Sequence, residues 1–391
     1  MQKVAVSNIA KQIRGVSYKP VDLHNDLNKD SVILLRANNI SGGKINFDDV
    51  VYVDKKKVSS EQYLQKGDIL ICASSGSKNL VGKAASVSFD IKCTFGAFCK
   101  VIRPISKYAN YLGMYFQSDI YRRIISNVAI GANINNIRNE HIDSLELSIY
   151  SDDKNNEIVS TLDTLQSIIT HRRTQLEKLD LLVKARFVEM FGEVGTDKFG
   201  WGLQKIGDIC EINPKKAKES KLHSELKISF VPMPAVSEYG NIDATEIKTY
   251  EEVKSGFTYF AENDVLFAKI TPCMENGKGC IARGLCNGIG FGSTEFHVIR
   301  PTAKTNPYWI YNVTVFKQFR KDAAANMTGS AGQRRVPAKF LENYKVALPP
   351  IELQTQFADF VKQVDKSKAT VQKALDEAQL LFDSLMQAYF G

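Results

Sequence analysis

Hydrophobic positions along this chain follow two rhythms, and each rhythm occurs twice. Ile158, Leu162, Leu165, Ile169, Leu176, Leu179, Val183 and Met190 recur at gaps of three, four or seven. Phe357, Val361, Val364, Val371, Leu375, Phe382, Leu385 and Tyr389 repeat that register near the C-terminus. Such spacing is the a/d seam of a coiled-coil helix, sustained for about five heptads. Arg172 and Arg186 interrupt the first seam and Lys368 the second, and polar seam positions fix register at a cost in stability. Elsewhere the apolar residues gather in short β-rich runs, such as "DILICAS" (68–74) and "DVLFAKI" (264–270), which read as strands.

The two rhythms belong to one duplication. An offset of 199 residues places Phe191–Gly192 on Phe390–Gly391, Leu182 on Leu381, Leu181 on Leu380, Leu176 on Leu375 and Ile158 on Phe357. Further upstream it places Leu147 on Val346, Ile142 on Leu341 and Ile137 on Val336. Between the helices, "LLRANNISGGKI" (34–45) matches "FVPMPAVSEYGNI" (230–242), "GDILICASSG" (67–76) matches "NDVLFAKITP" (263–272), and "FGAFCKVIRP" (95–104) matches "FGSTEFHVIRP" (291–301). Ile9 of "VSNIAKQI" falls on Ile209 of "IGDICEIN". The period is domain-sized, which excludes a solenoid of ~20–50-residue repeats.

The expected fold is therefore α+β, with an internal pseudo-twofold repeat. Two similar globular domains, 1–150 and 193–350, are separated by two long antiparallel coiled-coil helices, 151–192 and 351–391. The helices bury their seams against each other, Ile158, Leu162, Leu165, Leu176, Leu179 and Val183 facing Phe357, Val361, Val364, Leu375, Phe382 and Leu385. About 38 residues at 1.5 Å each make a rod of about 57 Å.

Composition narrows the function. The chain has 391 residues, 44% hydrophobic and 24% charged, as in ordinary globular protein. No N-terminal stretch reads as a signal peptide and no run is long and apolar enough for a membrane span, so a soluble, cytoplasmic protein is expected. The seven cysteines form no CxxC pair, so no metal site is expected, and the thiols read as reduced and mostly buried. Net charge is +8: residues 1–192 hold 26 Lys/Arg against 20 Asp/Glu, and 193–391 hold 25 against 23. That mild excess permits a polyanionic partner without requiring one.

No catalytic motif is present. The five histidines are scattered and form no HExxH. Gly76 and Gly82 are separated by five residues and Lys83 is followed by Ala84, so there is no phosphate-binding P-loop, and no GxSxG elbow occurs. "TNPYW" (305–309) resembles the Asn-Pro-Pro-Tyr loop of amino-methyltransferases but lacks the second proline, and Asn306–Pro307 reads as a helix start. No catalytic residue is assigned.

Other features suit DNA. "SSGSKNLVGKA" (74–84), with Ser74, Lys78 and Lys83, and its counterpart "TPCMENGKGCIAR" (271–283), with Lys278 and Arg283, are glycine-rich loops. Loops of this kind wrap phosphates through backbone N–H and lysine, and they also serve as plain hairpin turns. "GANINNIRNEH" (131–141) aligns with "GSAGQRRVPAK" (329–339). The first offers Asn133, Asn135, Asn136 and Arg138, the second Gln333, Arg334 and Arg335. Asn and Gln suit adenine edges and Arg suits guanine; a polar loop capping the next strand is the competing reading. Lys269 and Thr294 complete the DNA-binding candidates. Lys55–Lys57, Arg122–Arg123 and Lys215, Lys216, Lys218 and Lys221 read as solvated charge or, at most, phosphate contacts.

Taken together, the duplicated block order, "GDILICASSG", "VIRP" in both halves and "LENYKVALPPIELQTQFADFVKQVD" (341–365) resemble the specificity subunit of type I restriction–modification systems over essentially the whole chain. The resemblance implies two target-recognition domains, each reading half of a bipartite site in double-stranded DNA. It implies helices that set the gap and bind two methyltransferase subunits, with restriction subunits joining that core. Adenine-N6 methylation with S-adenosylmethionine, and cleavage with ATP and Mg, would reside in those partners, leaving this chain non-catalytic and without a cofactor. The first copy departs from the pattern, since "LELSIYSDDKNNEIVSTLD" lacks both Leu-Pro-Pro and the following Gln and blurs the helix start. Two other classes stay open: a nuclease using clustered carboxylates, with Glu275 and Glu295 as candidates, and a coiled-coil scaffold without DNA specificity.

Overall fold

The structure is a computed structural model describing residues 2–77, 79–128, 135–216, 223–330 and 332–391. Both seams are single helices of 40 residues, Asp152–Phe191 and Ile351–Phe390. The chain folds into two compact units, Met1–Arg173 with Lys373–Gly391, and Thr174–Gln372. The division runs through both helices, so each unit takes part of each.

In the first unit a four-stranded antiparallel sheet runs in the order Ala84–Ser86, Ile69–Cys72, Cys99–Pro104, Ala10–Arg14. The second unit repeats that order with Gly279–Ile281, Val265–Ala268, Phe296–Pro301 and Cys210–Ile212. The runs ILIC (69–72) and VLFA (265–268) are buried at all four positions. Their unbroken apolar character follows from being covered on both faces.

A second sheet in each unit contains one parallel pair, Ser31–Leu35 with Cys93–Phe95 and Lys227–Val231 with Ile289–Gly292. The edges then differ. In the first unit Leu23–His24 extends the sheet beyond Val51–Asp54, whereas in the second Thr258–Ala261 pairs on the far side of Ile289–Gly292. Helices Ala109–Gln117 and Asp119–Val128 have counterparts in Pro307–Val315 and Lys317–Ala325. Asn306 caps the first turn of 307–315 by accepting a hydrogen bond from the Tyr308 N–H at 3.0 Å. "TNPYW" is thus a helix start, as the proline predicts.

The repeated "VIRP" has a structural cause. Arg103 donates Nε and Nη2 to the two carboxylate oxygens of Asp68, at 2.8 and 2.7 Å. Arg300 does the same to Asp264, at 2.8 and 2.7 Å. Both aspartates are 1% exposed. Removing one member of such a pair strands a buried charge, at about 3–5 kcal/mol. The Asp that opens each buried strand and the Arg of each "VIRP" are therefore one feature of the fold.

Within each unit the helix segments pack antiparallel. In the first, Tyr150 meets Tyr389 (6.4 Å between ring centroids) and Arg173 donates to Gln379. In the second, Asp180 pairs with Lys368 and Phe187 packs on Phe357 at 5.5 Å. Ile158, Leu162, Leu165, Val183, Phe357, Val361, Val364 and Leu375 are buried, while Leu176, Leu179, Phe382 and Leu385 are half-buried. At the end of the first helix the buried face widens beyond the heptad seam. Met190 is half-buried and packs on the same cluster as Leu179, while Phe187 and Phe191, spaced by four from Val183, are buried.

The reason is that each helix end is a piece of a domain core. Phe187 and Phe191 join the cluster of Trp309, Ile310 and Phe319. Phe390 packs on Tyr111 at 4.9 Å and Tyr115 at 5.9 Å. A helix end surrounded by a globular core needs a wider buried face than an a/d stripe. Gly192 closes the first helix at φ +79°, with its N–H on the Val188 carbonyl at 2.9 Å, a left-handed cap that suits glycine.

The missing Leu-Pro-Pro and Gln of the first copy do not blur its helix. Gln354 is buried, accepting from the Asn306 N–H and donating to the carbonyls of Lys304 and Pro349. At the equivalent place Asn155, also buried, bonds both the N–H and the carbonyl of Tyr150. A shorter amide does the local part of the same task, and both helices begin in register.

Candidate nucleic-acid interface

In each unit three sequence-distant segments are tied into one small shelf at the end of the central sheet. In the first unit the N–H groups of Ala73 and Ser74 donate to the Phe98 carbonyl at 2.9 and 3.0 Å, and the Ile137 N–H donates to the Ala73 carbonyl at 2.8 Å. Ser74 and Ser75 pair with Asn136 and Asn135 as a short antiparallel ladder. In the second unit the Lys269 N–H donates to the Glu295 carbonyl at 2.9 Å and the Val336 N–H to the Lys269 carbonyl at 2.9 Å. Arg335 bridges to Ile270. Position for position, Ala73 corresponds to Lys269, Phe98 to Glu295 and Ile137 to Val336.

The shared backbone carries different side chains. On the first shelf Ser74 Oγ donates to Asn136 Oδ1 at 2.7 Å, and Phe98 stands beside them at 67% exposure. Arg138 is exposed and faces Glu140 at 3.6 Å. On the second shelf Arg335 clasps Glu295 and Arg334 reaches Glu275 at 3.3 Å. The Arg335 guanidinium holds the Glu295 carboxyl below the usual carboxylate range. Thr294, Gln333 and Arg334 are exposed; Lys83, Lys269 and Lys278 are half-buried. Asn135 is placed by its backbone. Lys78, Asn133, Lys218 and Lys221 lie outside the described residues.

The glycine-rich loops are the connections between paired strands, 73–83 and 269–278, and each is braced from beneath by a buried-side arginine. Arg122 donates to the carbonyls of Val81 and Asn79. Arg320 donates to those of Met274 (2.9 Å) and Gly277 (3.2 Å). Arg122 is therefore not the solvated charge its Arg-Arg run suggests, because the helix turns it onto the loop. Gly82 sits at φ +79° so close to it that a Cβ would lie 2.9 Å from Arg122 Nη1. Burial pushes Arg320 down to about 10, which leaves it charged at neutral pH. The pairing of Tyr121–Arg122 with Phe319–Arg320 is a sequence signal that reveals this brace. Lys216, also grouped with solvated charge, donates to the Lys254 carbonyl and lies over the Phe291 ring at 5.5 Å.

Chemically the shelves offer donors, acceptors and an aromatic face. Glu275 and Glu295, the carboxylates a nuclease reading requires, each face a guanidinium. Among the described residues no group of three or more His, Cys, Asp or Glu is placed to hold a metal ion. Five of the seven thiols are buried, and all seven are free. Among the described residues no helix is long and apolar enough to cross a membrane.

The profile of the type I restriction modification DNA specificity domain matches twice, over residues 18–179 and 199–379. The specificity subunit of the type I restriction enzyme StySPI of Salmonella potsdam is 29% identical over 404 residues, covering 98% of this chain and 86% of that protein. The EcoKI specificity subunit of Escherichia coli strain K12 is 27% identical over 400 residues, covering 98% and 86%. The crystal structure of the S subunit of a type I restriction–modification system from M. genitalium superposes with a TM-score of 0.56 at 13% identity, over 100% of this chain and 96% of that one. At that identity the likeness is one of fold.

Proposed function

This chain belongs to the family of type I restriction modification DNA specificity domains, and from that premise we propose how it works: each shelf reads one half of a bipartite site in double-stranded DNA. The observation that carries this reading is the duplicated shelf, one backbone scaffold bearing two unlike sets of polar side chains. Two readers of different half-sites need that combination.

The helices are the second part of the proposal. They set the gap between half-sites and dock two methyltransferase subunits, to which restriction subunits add. Leu181 and Leu182 on one helix and Leu380 and Leu381 on the other are exposed, and the two pairs are related by the repeat. Equivalent apolar patches suit two copies of one partner. Methyl transfer to adenine N6 from S-adenosylmethionine, and ATP- and Mg-dependent cleavage, are assigned to the partners, and this chain is the non-catalytic reader. A scaffold without DNA specificity would use the same leucines but leaves two differing shelves without a purpose.

The test is a map of methylated adenines in DNA from cells co-expressing the chain with its methyltransferase partner. Two short specific blocks around a fixed gap are expected. An intact complex that adds no sequence-specific methylation would favour the scaffold.

A further inference from the structure

An arginine guanidinium carries five N–H donors, and on Arg335 three of them are spent on described residues. Nε donates to both Glu295 oxygens, at 3.1 and 3.0 Å, and Nη2 donates to Oε1 at 2.7 Å. Nη1 donates one hydrogen to the Gln333 carbonyl at 3.2 Å. Among the described residues nothing takes the other two, one on each terminal nitrogen. The backbone beneath is pinned as well: the Arg335 N–H donates to the Thr328 carbonyl at 2.8 Å, and its carbonyl accepts from the Thr328 N–H at 3.0 Å. The next residue, Val336, is tied to Lys269 and to His297. The side chain is nonetheless open to solvent on the other side, at 41% exposure.

We infer that Glu295 is a positioning residue that holds the Arg335 fork toward a guanine in the major groove, so that the half-site read by the second domain contains a guanine at one fixed position. The inference rests on the proposed function and deepens it. Two parallel donors on a rigid plane match the O6 and N7 acceptors of guanine. An unrestrained surface arginine must lose rotamer freedom to make that contact, and a buttressed one has lost it already. A plain surface ion pair is the competing explanation and contributes little. What separates the two is position. Glu295 and Arg335 occupy the places that Phe98 and Asn136 take on the first shelf, where the exposed Arg138 meets Glu140 through one long contact at 3.6 Å rather than a clasp. The buttressed guanine contact therefore belongs to one half-site.

The experiment uses the full chain assembled with its methyltransferase subunits, and duplexes carrying 7-deazaguanine in place of each guanine of the mapped site in turn. That base pairs normally but lacks the N7 acceptor. One position in the block read by the second domain is expected to cost roughly 10- to 150-fold in affinity, the range for losing one hydrogen bond to a charged group. In Glu295→Gln the penalty at that position should largely vanish while penalties in the other block stay unchanged. Arg335→Met, which removes every donor, should abolish it as well. A normal bipartite site with no guanine in either block overturns the inference, as does a Glu295→Gln complex that keeps the full penalty. A wild-type complex with no bipartite site would instead overturn the proposed function on which it rests.

Discussion

His297 shows how a single side chain supports the second shelf. It is 6% exposed, with Nε2 donating to the Val336 carbonyl at 2.8 Å and Nδ1 accepting from Asn213 Nδ2 at 3.1 Å. Asn213 Oδ1 is held in turn by the Val298 N–H at 3.0 Å. This arrangement needs a neutral imidazole, and burial, aided by nearby Lys269, lowers its pKa below the usual value near 6.5. The unfolded chain then binds the proton more tightly than the folded one. Stability is complete above about pH 6.5 and falls as pH drops through that value, by at most about 1.4 kcal/mol per unit. Thermal unfolding between pH 7.5 and 5.5 should show a steeper loss for the wild type than for His297→Gln, and parallel curves would contradict this assignment. Lys100 fills the equivalent place in the first unit, donating to Asn139 Oδ1 at 2.6 Å, and burial lowers its pKa as well.

At the scale of elements, the loops matter through their braces. In Arg320→Met the carbonyls of Met274 and Gly277 lose their donor, at roughly 1–3 kcal/mol for each left unsatisfied. Hydrogen exchange should show protection lost first across 271–281, with 77–86 unchanged; a uniform loss over both units would contradict the brace. What the sequence disclosed at this scale follows from local periodicity. The helices and the strands 69–72 and 265–268 were legible because their apolar spacing is local. The burial of Phe187 and Phe191 beyond the seam was not legible, because they answer to a globular core that heptad counting does not include. Arg122 was misread because a charge pair carries no local mark of the loop it meets. Phe98 and Glu295 were not legible as shelf residues, since only backbone bonds between distant segments bring them beside Asn136 and Arg335.

The molecule as a whole is one fold used twice. Conserving the Arg–Asp pair, the central sheet and the brace keeps each scaffold rigid, and the shelves are then free to differ. The edge strands differ too, at Leu23–His24 and Thr258–Ala261, so divergence touches surface and sheet edge while the buried strands remain alike. The central claim is that the two shelves are independent readers. The most direct test compares methylated-adenine maps for two double variants, Ser74→Ala with Asn136→Ala, and Glu295→Gln with Arg335→Lys, each in the assembled complex. Each variant should relax or erase one block of the bipartite site, a different block in the two cases, with the gap and the other block intact. If both variants degrade the same block, or each degrades both blocks equally, the shelves are not separate readers and the account fails.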